Sequence, residues 1–459
     1  MGITRRLRGA VLGVTLLLTT VTTATATAAP ATTATSAPAA PAATTTSAPA
    51  APVSTAARPE SLDRPALAGT LDAVHQAGMY GIQSAVRDGA EHWGGASGVA
   101  DVDTGRPMRP GMGQRIGSIT KTFTAVAVLQ QVERGRIRLD APVATYLPDL
   151  IPGERGRRIT VRMLLNHTSG MADYIAAAFP SLTRDSTASI DEGRFRSIRP
   201  EELVRLGLAE PATGEPGALP GHYSNTNYVI AGLLLRKVTG QDPATYLTRH
   251  VVARAGLHHT YFPRTPYLKG PHPRMYESWY GLIDPPRDYS VYDMSWAYTA
   301  GALVSTPDDL NRFYRALLTG RLLAPAILAE MQRTVPVVVG PGVTVDYGLG
   351  IYTFDFGSCG RFWGHEGGVF GAGTIALTSA DGRRQIAAAW NLMKYQRLNA
   401  DGTGLEPSPI DAAINTHIGR ALCPAAPATP LRHPALRRAE TGPGQGFFAG
   451  APRPAADGR

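Results

Sequence analysis

The 459-residue chain lacks the spacings that hold metals: its two cysteines stand far apart, at 359 and 423, and neither CxxC nor HExxH occurs. No metal and no cofactor are therefore expected. A Gly-x-Ser-x-Gly elbow is missing, so the α/β-hydrolase arrangement finds no support. Long apolar runs are missing too. The best candidate, Ala10 to Leu18, falls well short of the ~20 residues that span a bilayer, so no stable membrane span is expected. Lysine is scarce: Lys121, Lys237, Lys269 and Lys394 are the only four among 45 basic residues.

Positive charge is also short where a nucleic-acid surface would need it. The formal net charge is +9, but residues 1–58 carry four arginines and no acid. Residues 424–459 carry five arginines against Glu440 and Asp457. About +2 remains for the part between, too little for a basic face, and nucleic acid is set aside as a partner.

What is present begins with a leader pattern. Arg5, Arg6 and Arg8 precede the apolar run, and small-residue sites follow at Ala24-Thr25-Ala26 and Ala26-Thr27-Ala28. That layout predicts a secretory signal peptide over residues 1–28 and a secreted, extracellular protein. Residues 29–58 are almost wholly Ala, Thr, Pro and Ser, which cannot bury enough apolar surface to offset ordering entropy. They are expected to be a disordered linker, and residues 424–459 a disordered tail. In an exported protein the pair Cys359 and Cys423 is expected to be a disulfide pinning the C-terminal helix to the sheet.

The domain is expected over residues 59–423. Helical spacing runs from Pro65 to Ala77, and two alternating runs, Gly81–Val86 and Trp93–Val99, read as a hairpin. A helix of about four turns follows Ser118. Residues 139–328 are mostly helical patterns, including Val161–Leu165, Pro200–Leu208, Tyr228–Val238 and Pro307–Leu318. Strand-like runs return at Gly348–Thr353, Arg361–Trp363, Gly373–Thr378 and Gln385–Trp390, with a final helix near Ile410 to Leu422. The expected fold class is α+β: an antiparallel sheet built from both termini, flanked by helices, with a mostly helical inserted subdomain.

Three motifs carry chemistry. In Gly117-Ser118-Ile119-Thr120-Lys121, a serine at a helix start has a free backbone N–H able to face an oxyanion. A lysine three residues on shares its helix face and, once desolvated, can act as a base where arginine could not. In Tyr223-Ser224-Asn225, a phenol can relay a proton and an amide can hold a peptide group. In Trp363-Gly364-His365-Glu366-Gly367-Gly368, glycines allow close backbone approach, and His365 could donate to substrate or to Tyr223.

Taken in this order, the motifs resemble the penicillin-recognising serine hydrolases: class C β-lactamases, serine D-alanyl-D-alanine carboxypeptidases, and related esterases and D-aminopeptidases. The likeness covers about residues 61–423, including Leu164–Gly170 and Ser295–Gly301, and is nearest to secreted actinobacterial-type DD-carboxypeptidases. It implies Ser118 as the acylated nucleophile, Lys121 as base, Tyr223 as proton shuttle and His365 in the third motif. It implies that Asn225 holds the substrate amide, that Ser118 and Gly368 supply the oxyanion N–H groups, and that Trp296, with Phe179, walls the cleft. The expected activity is an acyl-enzyme hydrolase, a D-alanyl-D-alanine carboxypeptidase or D-peptidase acting on cell-wall peptides. The alternatives are an esterase, D-aminopeptidase or β-lactamase, or a non-catalytic penicillin-binding protein. The expected partner is a peptide or small D-amino-acid-containing substrate met by a monomer, with a β-lactam adduct on Ser118.

Two departures stand out. The carboxypeptidases follow the third-motif His with Thr-Gly-Thr, where this chain has Glu366-Gly367-Gly368. They place an arginine for the substrate carboxylate where this chain has Tyr352. Arg361 is a substitute cation off the motif position.

Overall fold

The computed structural model describes residues 62–184, 186–340, 342–399 and 405–424. The leader, the linker and the tail beyond residue 424 lie outside the described residues.

The first helix, Arg64–Gln76, starts where Asp63 accepts the Ala66 N–H and Pro65 fits the first turn. It buries Leu67, Leu71 and Val74, one stripe at helical spacing. The hairpin Gly81–Asp88 and Glu91–Asp101 follows. It joins a ten-stranded sheet beside the chain's last long strands, because Gly81–Asp88 pairs antiparallel with Arg384–Trp390. The order continues through Ala372–Ser379, Arg361–Val369, Tyr352–Asp355, Val343–Tyr347 and Val335–Gly340 to the short Gly221–His222. Only that last pairing in the sheet is parallel.

Alternation along these strands divides the core. Ile375, Leu377, Ile386 and Ala388 pack with the terminal helices Arg64–Gln76 and Pro409–Leu422. Ala376 and Ala387 belong to the other core, with the helices of the insert. Its centre is Thr120–Glu133, whose residues Thr120 to Gln131 are all buried, and Asn225–Thr239, buried from Asn225 to Leu235. An amphipathic stripe is absent from the first of these helices because it is surrounded by protein. Cys359 and Cys423 form the expected disulfide, with Cα atoms 5.5 Å apart, tying the turn before Arg361 to the terminal helix.

One strand expectation is corrected, and one hairpin is new. The run Gly348–Thr353 is a turn followed by the strand Tyr352–Asp355; Gly350 has φ +81° and the Gly348 N–H bonds back to the Ile351 carbonyl. The hairpin Val335–Gly340 and Val343–Tyr347 was not anticipated, because Pro336 argues against a strand. It lies near the sheet edge, where proline is tolerated.

Candidate active site

Ser118 sits in a single tight turn, Gly117–Ile119, that opens the buried helix Thr120–Glu133. The turn lies against the third motif. Gly117 has φ +51°, and a Cβ there would come within 2.6 Å of the Gly368 nitrogen. A Cβ on Gly367 would come within 1.9 Å of the Ile116 carbonyl oxygen. Only glycine at both positions permits this approach.

The third motif is on the strand Arg361–Val369, longer than the run first expected. The neighbouring strand Tyr352–Asp355 pairs with it only as far as Gly364, so the next residues present an open edge. The Glu366 N–H points to that edge and donates to Tyr352 Oη at 3.2 Å. Two residues on, the Gly368 N–H points the same way, beside the Ser118 turn.

Lys121 reaches back over one helical turn. Its Nζ lies 2.9 Å from Ser118 Oγ, 2.6 Å from Asn225 Oδ1 and 2.9 Å from the Ala300 carbonyl oxygen. Two of these neighbours only accept, and the third carries a hydroxyl proton. As an ammonium Lys121 donates to all three; as a neutral amine it can donate to the two carbonyls and accept from the Ser118 hydroxyl. Burial pushes Lys121 well below its usual pKa, and the Asp173 carboxylate pulls the other way.

Asp173 was not foreseen. Its Oδ2 accepts both the Asn225 backbone N–H, at 3.0 Å, and the Asn225 Nδ2, at 2.6 Å. Its Oδ1 accepts the Ile175 N–H at 3.0 Å. The Asn225 amide is thus fixed with its oxygen toward Lys121, and one Nδ2 hydrogen is left for another acceptor. Burial raises the Asp173 pKa, and its hydrogen-bond donors oppose the rise.

Tyr223 places its ring 4.8 Å from Lys121 Nζ and against His167, with centroids 4.2 Å apart. Its hydroxyl is buried, and the Ser118 hydroxyl favours its phenolate. Burial still holds its pKa well above the ordinary value. His167 is fully buried and accepts the Ser224 N–H on Nδ1 at 3.1 Å, fixing the residue between Tyr223 and Asn225.

His365 differs from expectation in its contacts. Nε2 lies 2.9 Å from Tyr347 Oη, and Nδ1 bonds the Glu366 carbonyl. A carbonyl only accepts, so Nδ1 carries the proton and Tyr347 donates to Nε2. Both nitrogens are engaged, and neither bonds Tyr223, whose ring centroid is 6.3 Å away. Burial, with the Lys121 charge, lowers the His365 pKa to about 3, so the ring is neutral.

Tyr352 packs on Tyr347, Phe354 and His365 and gives its hydroxyl oxygen to the strand edge. Trp296 and Phe179 are in contact, 5.2 Å between centroids, but they are 1% and 2% exposed. With Phe370 and Tyr292 they form a buried aromatic cluster behind the strand end rather than an open wall. Arg361 is exposed, in register with Asp355, at the opposite end of the strand from Gly368.

The family model described as Beta-lactamase matches residues 67–405. The chain belongs to the beta-lactamase family. Within it, a D-stereospecific amidohydrolase from Streptomyces sp. is 34% identical, with TM-score 0.67 over 79% of this chain and 100% of that one. The D-amino acid amidase of Ochrobactrum anthropi SV3 is 28% identical, with TM-score 0.62 over 72% and 91%. The putative penicillin-binding protein PbpX of Bacillus subtilis is 28% identical over 60% of this chain; the match spans 62% of PbpX's own length. The fold expected from the sequence is the fold of this beta-lactamase-like group, whose members include serine hydrolases.

Sequence reasoning missed Asp173, Tyr347 and the Ala300 carbonyl. Asp173 lies three residues beyond the Leu164–Gly170 stretch, and Ala300 within Ser295–Gly301, so both were within reach of motifs already singled out. Tyr347 ends a strand the sequence did not disclose.

Proposed function

We propose that this protein is an exported acyl-serine hydrolase that cleaves D-amino-acid amides and short D-peptides bearing a free amino group. The observation that carries the chemistry is the neighbourhood of Lys121: two carbonyl oxygens and one serine hydroxyl around a buried amine. In the proposed reaction Ser118 Oγ attacks the scissile carbonyl carbon as its proton passes to Lys121 Nζ. The N–H groups of Ser118 and Gly368 hold the oxyanion. Tyr223 gives its hydroxyl proton to the leaving amine and recovers one from Lys121. Water then attacks the ester as Tyr223 takes its proton and passes its own hydroxyl proton to the neutral Lys121, and Lys121 gives that proton to Ser118 Oγ, which leaves as the free alcohol. Tyr347 and the Glu366 carbonyl hold His365 neutral, and through it the strand bearing Gly368.

Glu366 supports the substrate class. Its charge acts on both Tyr223 and Tyr352, which supports an anion near the position where the carboxypeptidases have hydroxyl donors. That suits a substrate ammonium and disfavours a substrate carboxylate. The amidohydrolase and amidase relatives support the same class; the Ochrobactrum enzyme was solved with L-phenylalanine amide. Export is supported by the leader pattern and by the disulfide. Among the described residues no helix is long and apolar enough to cross a membrane.

Penicillin-binding relatives favour a second reading, a D-alanyl-D-alanine carboxypeptidase whose Ser118 also takes a β-lactam. Kinetics separate the two. On D-phenylalanine amide, acetylating the substrate amine should lower kcat/KM by about tenfold or more, the loss of one charge-assisted contact. A diacetyl-L-lysyl-D-alanyl-D-alanine peptide cleaved faster than either amide, and slowed by amidating its terminus, would establish the carboxypeptidase instead.

A further inference from the structure

A second charged feature lies away from Ser118. Three elements converge on a cleft of about 760 Å³ lined by Arg87, Arg312, Arg315, Arg321, His258 and Gln385, among others. Arg87 ends the strand Gly81–Asp88, Arg312 and Arg315 lie on the helix Pro307–Leu318, and Arg321 follows it. None of the residues assigned to the Ser118 site lines this cleft.

Four guanidiniums in one cleft repel one another unless anions stand between them. The nearby acids are already engaged. Asp88 is held by Arg383 and Arg384, at 2.8 and 2.5 Å. Asp308 pairs with His92 at 2.6 Å. Asp309 is buried and accepts from the His259 N–H and Thr260 Oγ1, with Arg312 at 3.5 Å. Among the described residues Arg87, Arg315 and Arg321 form no ion pair. Arg87 and Arg315 instead turn toward the same Gly89 carbonyl, at 3.5 and 3.4 Å. Burial, then the charges of Arg315 and Arg312, push the Arg87 guanidinium below its ordinary pKa, and the Asp308 carboxylate only partly offsets them. The folded part has only a small net positive charge, so this concentration is local rather than a general basic surface.

We propose that the Arg87–Arg312–Arg315–Arg321 cleft is a binding site for an anion carrying two or more phosphate groups. The planar guanidinium fork matches phosphate oxygens two at a time and stays charged at any working pH. The cleft is far larger than one phosphate, and its arginines come from separate elements, so a ligand with spaced phosphates engages several at once. Such a ligand is a free oligophosphate or a phosphodiester polymer, and this proposal does not depend on the reaction assigned to Ser118.

Calorimetric titration of the full chain tests it, with tripolyphosphate, a glycerol phosphate oligomer, inorganic phosphate and citrate as probes. Saturable one-to-one binding of tripolyphosphate or the oligomer, at least tenfold tighter than inorganic phosphate or citrate, is expected. Preference for the oligomer assigns the ligand to a polymer; preference for tripolyphosphate assigns it to a free oligophosphate. The R312Q/R315Q/R321Q variant should weaken binding at least tenfold, and R315Q alone about threefold. R157Q/R158Q, on another helix, should leave it unchanged. Citrate binding as tightly, the absence of saturable binding, or an affinity indifferent to both cleft variants overturns the proposal and leaves an adventitious ion only. R315Q changes one exposed side chain and supplies the answer if the triple variant does not fold.

Discussion

Lys121 and Lys394 are both buried, 0% and 3% exposed, in a chain with only four lysines among 45 basic residues. Burial lowers both pKa values, Lys394 to about 8. Their surroundings differ. Lys394 faces the buried carboxylate of Glu277 and the rings of Trp279 and Tyr280, at 4.9 and 5.7 Å, all of which favour the ammonium. Glu277 also accepts the Gly371 and Trp279 N–H groups, so the pair braces the turn beyond Val369. Lys121 also has two rings beside it, Tyr223 and Tyr228 at 4.8 and 5.7 Å, but its carboxylate, Asp173, is one amide away, and its hydrogen-bond contacts include two carbonyls and a hydroxyl. The contrast separates burial from basicity. A desolvated lysine becomes a base when a neighbour can give it a proton, and a structural cation when its neighbour is an anion.

The largest expected effect removes one side of the contrast. Lys121→Arg keeps the positive charge and loses the ability to be neutral, because guanidinium does not release its proton in proteins. Its kcat/KM on D-phenylalanine amide should fall by about 10²–10⁴, the range for a lost general base. Mass spectrometry should find no acyl adduct on Ser118. Activity within threefold of the parent protein would remove Lys121 from the chemistry.

Next in size is Lys394→Met, which strands the Glu277 charge. Losing one partner of a buried pair costs about 3–5 kcal/mol. The loss should be greatest at alkaline pH and shrink as pH falls, because protonating Glu277 removes the stranded charge. Denaturant titrations at two pH values read this directly, and Glu277→Gln on the same background should restore much of the stability. Activity per folded molecule should change far less than in Lys121→Arg. An equal collapse would mean that the two lysines are not separable in function.

One side of this contrast was legible in the sequence. Ser118 and Lys121 declare themselves by helical spacing, and the order of the three motifs points to the family. The helices Val161–Leu165 and Pro307–Leu318 begin and end where their patterns do. What escaped is what depends on pairing across long separations. The Tyr347 contact with His365 needs a hairpin that Pro336 hides. The orientation of Asn225 needs Asp173, 52 residues earlier. Local pattern carries no record of either contact. Trp296 is a milder case: an aromatic beside a motif reads as a wall, and only packing places it behind one.

The smallest of these effects is the most diagnostic. Asp173→Asn removes the anion nearest Lys121 without altering Lys121, Asn225 or Ser118. The Asp173 charge favours the Lys121 ammonium, so its loss lowers the Lys121 pKa further. The base is the neutral amine, and kcat/KM rises with pH as the ammonium loses its proton. That rise should therefore move to lower pH in the variant. Asn225 keeps an acceptor for its Nδ2, now uncharged, which weakens its placement and should lower kcat by about tenfold. A merely structural Asp173 would lower activity at every pH and leave the midpoint in place. A kcat/KM that falls with pH, with that fall moved to lower pH in the variant, would require Lys121 to act as the ammonium, and its likeness to Lys394 would then be closer than its surroundings indicate.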